Sequence, residues 1–166
     1  QNVCISCHSQ GWVDNFYVQY DGLVELYNEK YGRPGMELYN LAKPLRASQE
    51  TFANPIDWTW FEIWHHEGRR ARHGASMMAP DYTHWHGTYE LAKHFYSKYV
   101  PELEELIHKG LASDDAAKVE QAKKLQKKLG EVLHSDNHKW FVGEMDPAEA
   151  ARRKQAADEF KKRYQK

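Results

Sequence analysis

The sequence predicts an all-α protein, and three features of it favour that class. Apolar residues recur at spacings of three and four in several segments, which is the period of one helix face. Proline and glycine stand between these segments, at positions where helices begin and end. No segment shows the alternation of apolar and polar residues that is typical of a strand.

The first predicted helix covers residues 13–31, where aromatic and aliphatic side chains repeat along one face. Gly32, Pro34 and Gly35 are expected to end it, because both residue types interrupt helices. A short helix is expected near residues 36–42.

Prolines indicate where the next helices begin. Pro55 is expected to open a second helix that ends near Gly74, since proline suits the first helical turn. Pro80 is expected to interrupt the helical conformation, with Asp81 as the N-cap of a third helix over residues 82–99.

The last third of the chain predicts helices of a different kind. Pro101 is expected to kink or restart the third helix, which then stops near Gly110. Residues 113–133 carry a sparse apolar stripe, and Asp146-Pro147 begins a final helix over residues 148–164. The predicted organisation is therefore one helical region at 1–112, which carries the chemistry, and amphipathic C-terminal helices at 113–166.

Composition excludes two classes of protein. The 166 residues include 23 Lys and Arg against 24 Asp and Glu, and this balance argues against a nucleic-acid-binding protein. No apolar run approaches the roughly 20 residues of a membrane span, so we predict none.

Cys4-Ile5-Ser6-Cys7-His8 is the most specific motif in the sequence. Two thiols at this spacing can form thioethers with the two vinyl groups of a haem, and the following histidine can ligate the iron. Both cysteines of the chain lie inside this motif. The sequence therefore predicts one covalently bound c-type haem. Because such haems are attached outside the energy-transducing membrane, we expect a periplasmic or equivalent location, which includes an anammoxosome-like lumen.

Other kinds of site use the same two cysteines. A disulfide is one alternative, and a thioredoxin-like redox pair is another, although that pair normally follows a strand. A third alternative is half of a zinc site that borrows distant histidines.

Histidine is concentrated in the middle of the chain. Of the 10 histidines, seven lie between His65 and His108, within and just after the stretch WTWFEIWHHEGRRARHGASMMAPDYTHWHGTYELAKHF. One haem takes at most one further axial ligand, so this stretch holds more imidazole than the haem of Cys4 and Cys7 can use. The surplus is either structural or ligates haems that are bound elsewhere. Four of the 10 histidines are expected at the surface or in a position that supports a ligand: His84, His94, His134 and His138.

The block HHEGRRARHGASMMAPDYTHWHG, together with the Cys4–His8 motif, resembles the C-terminal part of octahaem cytochromes of the hydroxylamine oxidoreductase family. That family includes hydrazine-oxidising enzymes. The resemblance runs from Cys4 to about Tyr99. A looser similarity to pentahaem nitrite reductases lies in Trp60, His73-Gly74 and Ala79-Pro80.

The resemblance implies a multihaem cytochrome c fold and a role for several residues. Cys4, Cys7 and His8 would hold the last haem of the series, as an electron relay. His73 and His86 would be distal ligands of neighbouring haems, and either His66 or its neighbour His65 is a further candidate ligand.

Tyr82 matches the tyrosine that, in hydroxylamine oxidoreductases, is crosslinked to the catalytic haem of an adjacent subunit in a trimer. Tyr82 and His86 are four residues apart and so share one helix face. Arg69, Arg70 and Arg72 form a basic cluster that either neutralises haem propionates or is a solvated face.

The chain departs from the family in carrying one haem motif instead of eight. The further haems, the catalytic one included, are expected on a remaining haem-bearing region or chain. The implied partners are that region, a homotrimer, a small nitrogenous substrate and a soluble cytochrome electron acceptor.

The sequence leaves other functions open. The implied activity is oxidation of hydroxylamine or hydrazine, whereas a segment of a multihaem nitrite or N-oxide reductase is an alternative. A free-standing monohaem electron-transfer protein is another alternative, and a haem-free helical interaction module is the third.

Overall fold

A computed structural model describes residues 3–164. Over these residues the chain is all-α and contains no strand, as the sequence predicts. The α-helical segments are α1 (Gln10–Tyr27), α2 (Arg33–Ala42), α3 (Pro55–Phe61), α4 (Gly68–Ser76), α5 (Pro80–Tyr82), α6 (Glu90–His94), α7 (Val100–Leu111), α8 (Ala116–Leu133) and α9 (Pro147–Tyr164).

Several of these segments are joined by π-helical turns, in which each residue bonds five positions back instead of four. They are π1 (Asn28–Gly32), π2 (Glu62–Glu67), π3 (Thr83–Tyr89) and π4 (Phe95–Tyr99). Residues 10–42, 55–76 and 80–111 are consequently three continuous helical rods. Short 3₁₀ turns cover Cys4–Ser6 and Lys43–Leu45.

The expected end of the first helix at Gly32–Gly35 is wrong. The chain passes from π1 into α2 without a break, and Pro34 is the second residue of α2. The wider π turn shifts the hydrogen-bond ladder by one residue, and that shift can leave a position where no amide donor is needed. Proline is tolerated there, and the helix continues.

Pro101 has the same setting, because it is the second residue of α7 and directly follows π4. The helix neither ends nor restarts at this proline, and it stops at Leu111, close to the predicted position.

The other helix starts follow their prolines. Pro55 and Pro147 are the first residues of α3 and α9, as predicted. Pro80 is the first residue of α5, so Asp81 lies inside the helix and its prediction as the N-cap is wrong. Ala79 takes the N-cap position instead.

The core of the first part of the chain is built where α2, α3, π4 and α7 pack together. We call it the packed core and define it by Leu38, Trp60, Phe95, Tyr99 and Leu103, each at most 4% exposed. The hydroxyl of Tyr99 donates to the carbonyl of Gly35 at 2.8 Å. Burial raises the pKa of Tyr99, which keeps that hydroxyl protonated as a donor.

The chain divides into two compact units, at residues 1–128 and 129–166. In the second unit Asp146 caps α9 by accepting from the amides of Ala148 and Glu149, and α9 is exposed along nearly its whole length. His138 is only 1% exposed, which excludes the surface position, one of the two that were expected for it. The predicted boundary after residue 112 stays a prediction.

Within residues 3–164, no helix is both long and apolar enough to cross a membrane. This agrees with the hydropathy of the sequence.

Candidate functional site

The Cys4–His8 motif lies on a single tight turn. The amides of Cys7 and His8 both donate to the carbonyl of Cys4, at 3.2 and 3.0 Å. The turn therefore presents two thiols and an imidazole together at the start of α1. Both cysteines are free thiols; Cys4 is half-buried and Cys7 is exposed.

These three side chains line one cavity of about 410 Å³, which we call the Cys cleft. Its other walls come from α1 and from the end of α4. The complete lining is Val3, Cys4, Cys7, His8, Trp12, Val13, Phe16, Tyr17, Ser76 and Met78. Two unpaired thiols and one imidazole against mainly apolar and aromatic walls are the donor set that a c-type haem requires, so the residues fit that group.

The alternatives for the two cysteines gain no structural support. The thiols are not joined as a disulfide. No strand precedes the motif among the described residues, as a thioredoxin-like pair would require. Across residues 3–164, no group of three or more His, Cys, Asp or Glu side chains is arranged to hold a metal ion, whereas structural zinc takes four ligands.

A stack of aromatic rings leads away from His8 along α1. The His8 imidazole lies on the Trp12 indole, with ring centroids 4.0 Å apart and an interplanar angle of 12°. Trp12 is followed by Phe16 at 6.3 Å and by Tyr20 at a further 6.1 Å, both within 10° of parallel. The spacing of four along α1 aligns the last three rings, and sequence reasoning could have found it there. His8 precedes α1 in the chain, so its place in the stack depends on the turn at the Cys4–His8 motif.

The stack also lines the largest of the cavities described here, a groove of about 740 Å³ between α1 and the α4–π3 region. We call it the aromatic groove. Met78 borders both this groove and the Cys cleft, and its φ of 54° is in the left-handed region that non-glycine residues seldom adopt. The groove is lined by Trp12, Asn15, Phe16, Gln19, Tyr20, Leu23, Ala75, Met78, Ala79, Pro80, Thr83, His84 and Thr88.

A separate cleft gathers many of the predicted site residues. It measures about 180 Å³ and is lined by His65, His66, Arg69, Arg70, His73 and Tyr82. We call it the imidazole cleft. The structure thus brings His66, His73, Tyr82 and Arg69 together, as side chains of π2, α4 and α5. His8 and the two cysteines line a different cavity.

Two predicted residues, His86 and Arg72, are not among the residues that line the imidazole cleft. The His86 ring is 5.2 Å from the Tyr82 ring, and its Nδ1 lies 3.4 Å from a carboxylate oxygen of Glu90. Arg72 donates to the carbonyl of Gly68 and lies over the ring of Tyr27 at 5.2 Å. The three arginines of the predicted basic cluster therefore do not share one surface.

Close packing between α4 and π3 fixes the imidazole cleft. A Cβ on Gly87 would lie 2.6 Å from the Cα of Ala71, and a Cβ on Gly74 would lie 2.5 Å from the hydroxyl of Thr83. Only glycine lets the two backbones approach this closely. That approach places Tyr82 opposite the histidines of π2 and α4.

Sequence reasoning missed a buried acidic residue next to this site. Glu67 is 3% exposed and lies 2.9 Å from Nδ1 of His94. Its second carboxylate oxygen has no hydrogen-bond partner among the described residues. Glu67 and His94 share a cavity of about 210 Å³ with Glu62, His66, Arg70 and Glu90. The only signal for this carboxylate in the sequence is that Glu67 directly follows the candidate ligand His66.

The surroundings of His65 favour its neutral form. Desolvation, together with the positive charge of Arg69 and the nearby His66, lowers its pKa. Arg69 Nη1 lies 3.2 Å from His65 Nε2, and since arginine can only donate, Nε2 accepts. The proton of the neutral ring is therefore on Nδ1.

Comparison of the chain with protein-family models, with curated proteins and with solved structures gives no match. The similarity to the hydroxylamine oxidoreductase family therefore depends on the motifs quoted above.

Proposed function

We propose that this chain is the C-terminal, haem-binding segment of a multihaem c-type oxidoreductase that oxidises hydroxylamine or hydrazine. The observation that carries the proposal is the Cys cleft, where two free thiols and the His8 imidazole line one cavity with apolar and aromatic walls. A bound haem would supply reversible one-electron transfer.

Each residue of the Cys cleft has a task in this proposal. Cys4 and Cys7 anchor the group through two thioether bonds, and His8 provides a nitrogen ligand. Trp12 holds the imidazole plane by stacking against it. Met78, Val13 and Phe16 supply apolar contact, which limits the access of water to the cavity.

The imidazole cleft supports the multihaem part of the proposal. His66, His73 and His86 are exposed, so each can reach a group carried by another part of the assembly. The phenol of Tyr82, on a residue that is 45% exposed, is available to an adjacent subunit in the same way. One haem takes at most one further axial ligand, so three exposed imidazoles favour the presence of further haems.

The first experiment is purification from the native source, followed by a denaturing gel stained for haem and by peptide mass spectrometry. We expect a haem-staining species longer than 166 residues that contains this sequence. The peptide with Cys4 and Cys7 should carry the mass of one haem, and the peptide with Tyr82 should carry added haem mass.

The double substitution Cys4→Ser, Cys7→Ser should remove the haem from this peptide, whereas Ile5→Val, between the two thiols, should leave it attached. A single short chain with one haem and an unmodified Tyr82 would indicate an electron carrier instead. A natively purified protein with no covalent haem would overturn the whole proposal.

A further inference from the structure

The imidazole cleft has an unusual chemical composition. Its lining consists of two guanidinium groups, three imidazoles and one phenol, all of which can donate hydrogen bonds. No carboxylate is among the side chains that line this cleft. Most protein surfaces mix charges of both signs, so a cleft lined by two guanidinium groups and no carboxylate favours a negatively charged ligand.

The two arginines are held in place by different partners. Arg70 donates to a carboxylate oxygen of Glu90 at 3.0 Å, so its charge is partly neutralised and its position is fixed. Arg69 is oriented by His65 and forms no ion pair with a carboxylate of the described residues. Arg69 therefore brings an uncompensated positive charge to the cleft.

His65 leaves one ring nitrogen unpaired beside Arg69. Its Nδ1 is buried and has no hydrogen-bond partner in the described part of the chain. Its other nitrogen, Nε2, lies 3.2 Å from Nη1 of Arg69, and this contact orients the guanidinium group.

We propose that the imidazole cleft is a binding site for one small oxyanion or carboxylate group, with Arg69 as its principal ligand. The volume of about 180 Å³ is smaller than the roughly 300–1,000 Å³ of cavities for drug-sized ligands. It therefore suits a group of a few atoms. Planar, two-oxygen groups match the fork of a guanidinium group.

Two sources provide this chemistry. One is a free nitrogen oxyanion such as nitrite, and the other is a propionate carboxylate of a tetrapyrrole that a neighbouring part of the assembly carries. A metal ion is a poorer candidate, because the three imidazoles are not grouped with one another or with other ligands in a metal-binding arrangement within residues 3–164. The site consists of this chain's own side chains, so the binding of a free anion there does not depend on the proposed haem.

The test is calorimetric titration of the natively purified protein with sodium nitrite, against sodium chloride as the control for ionic strength. Arg69→Gln removes the charge and should weaken nitrite binding about 10–100-fold, which corresponds to the loss of one charge-assisted hydrogen bond. Arg69→Lys keeps the charge and should give an intermediate affinity. Arg33→Gln removes an exposed arginine that pairs with Glu29 elsewhere, and should leave the affinity unchanged.

The outcomes separate the two sources. Nitrite binding that Arg69→Gln weakens about 10–100-fold supports a free oxyanion. If nitrite does not bind, but Arg69→Gln lowers the midpoint potential of a haem while Arg33→Gln does not, the occupant is a propionate. If neither effect is found, the proposal is overturned.

Chemical modification covers the case in which the Arg69 variants do not fold. Phenylglyoxal modifies exposed arginines, so bound nitrite or a resident propionate should protect Arg69 in the unaltered protein. Modification of Arg69 as rapid as that of Arg33, with and without nitrite, contradicts the proposal. Absence of any haem would refute the proposed function, yet leave the nitrite titration interpretable.

Discussion

The packed core and the surface that carries the clefts differ in how their polar and aromatic groups are used. In the packed core, Trp60 and Tyr99 are at most 4% exposed, and the Tyr99 hydroxyl has a backbone acceptor. On the surface that carries the clefts, which we call the open flank, Trp12 is 41% exposed and Met78 is 50% exposed. The open flank comprises the residues lining the Cys cleft, the aromatic groove and the imidazole cleft.

This difference indicates which part of the molecule forms the fold and which part is available for ligands. The packed core buries aromatic rings against one another, and that burial is the main favourable term in folding. The open flank instead exposes apolar and imidazole groups together, which is typical of a surface that contacts a cofactor or another chain. We therefore expect substitutions in the core to change stability and substitutions on the flank to change binding.

The largest effect on stability is expected from Asp57→Asn, beside the packed core. Asp57 accepts from Arg46 at 2.7 Å and from Tyr39 at 2.8 Å, and its side chain is 2% exposed. The variant leaves a buried guanidinium without its counter-charge, which costs about 3–5 kcal/mol. Urea denaturation measures this cost.

The surface pair of Arg33 and Glu29 provides the control for this buried pair. Glu29→Gln should change the free energy of unfolding by less than about 1 kcal/mol. Equal effects of the two variants would show that burial does not strengthen the Asp57 pair.

Gly87→Ala tests the close contact between α4 and π3, which fixes the imidazole cleft. Its new Cβ would lie 2.6 Å from the Cα of Ala71, so π3 must move away from α4. Such overpacking costs about 1–3 kcal/mol, measured by thermal unfolding. Gly22→Ala, whose Cβ meets nothing within 4 Å, should instead stabilise α1 by up to about 1 kcal/mol.

Lowering the pH should reduce the stability of the packed core. Desolvation opposes ionisation of Asp57, but hydrogen bonds from Asn54, Arg46 and Tyr39 outweigh it, and its pKa is lowered in the folded state. A depressed pKa stabilises the fold above the unfolded value of about 3.9, and this stability is lost as pH falls through the folded pKa. Unfolding measured from pH 6 to pH 2 should show this loss, and Asp57→Asn should lack this contribution.

Trp12→Leu should have the smallest effect on stability and a clear effect on the proposed haem. Trp12 is half-exposed, so losing its stacking should cost about 0.5–1.5 kcal/mol. Without the indole the His8 imidazole can rotate, which should alter the electron paramagnetic resonance g-values of the bound haem. Trp12→Phe keeps an aromatic ring and should restore the original spectrum; identical spectra for all three proteins would exclude a positioning role.

Much of the fold follows from local patterns. The helical period predicts the all-α class, and Pro55 and Pro147 lie at helix starts, as expected from their fixed backbone angle. The errors at Pro34 and Pro101 share one cause. Each follows a π turn, which changes the local hydrogen-bond register, and no propensity rule anticipates such a turn.

The candidate site is only partly predictable for the same reason. Cys4, Cys7 and His8 are adjacent in sequence, so their shared turn follows from the motif. Arg69 and Arg72 look equivalent in sequence, yet Arg69 lines the imidazole cleft and Arg72 packs over Tyr27. Their directions depend on what each face of α4 contacts.

The sequence by itself determined the helical class, the prolines that begin α3 and α9, and the motif predicted to hold a haem, because these depend on neighbours within a few residues. Only the tertiary structure decided the rest. The approach of Gly87 to Ala71 places Tyr82 across from His66 and His73, and the turn at Cys4 places His8 on Trp12. Contacts between residues distant in sequence arise from the packing of whole helices, which no local pattern specifies.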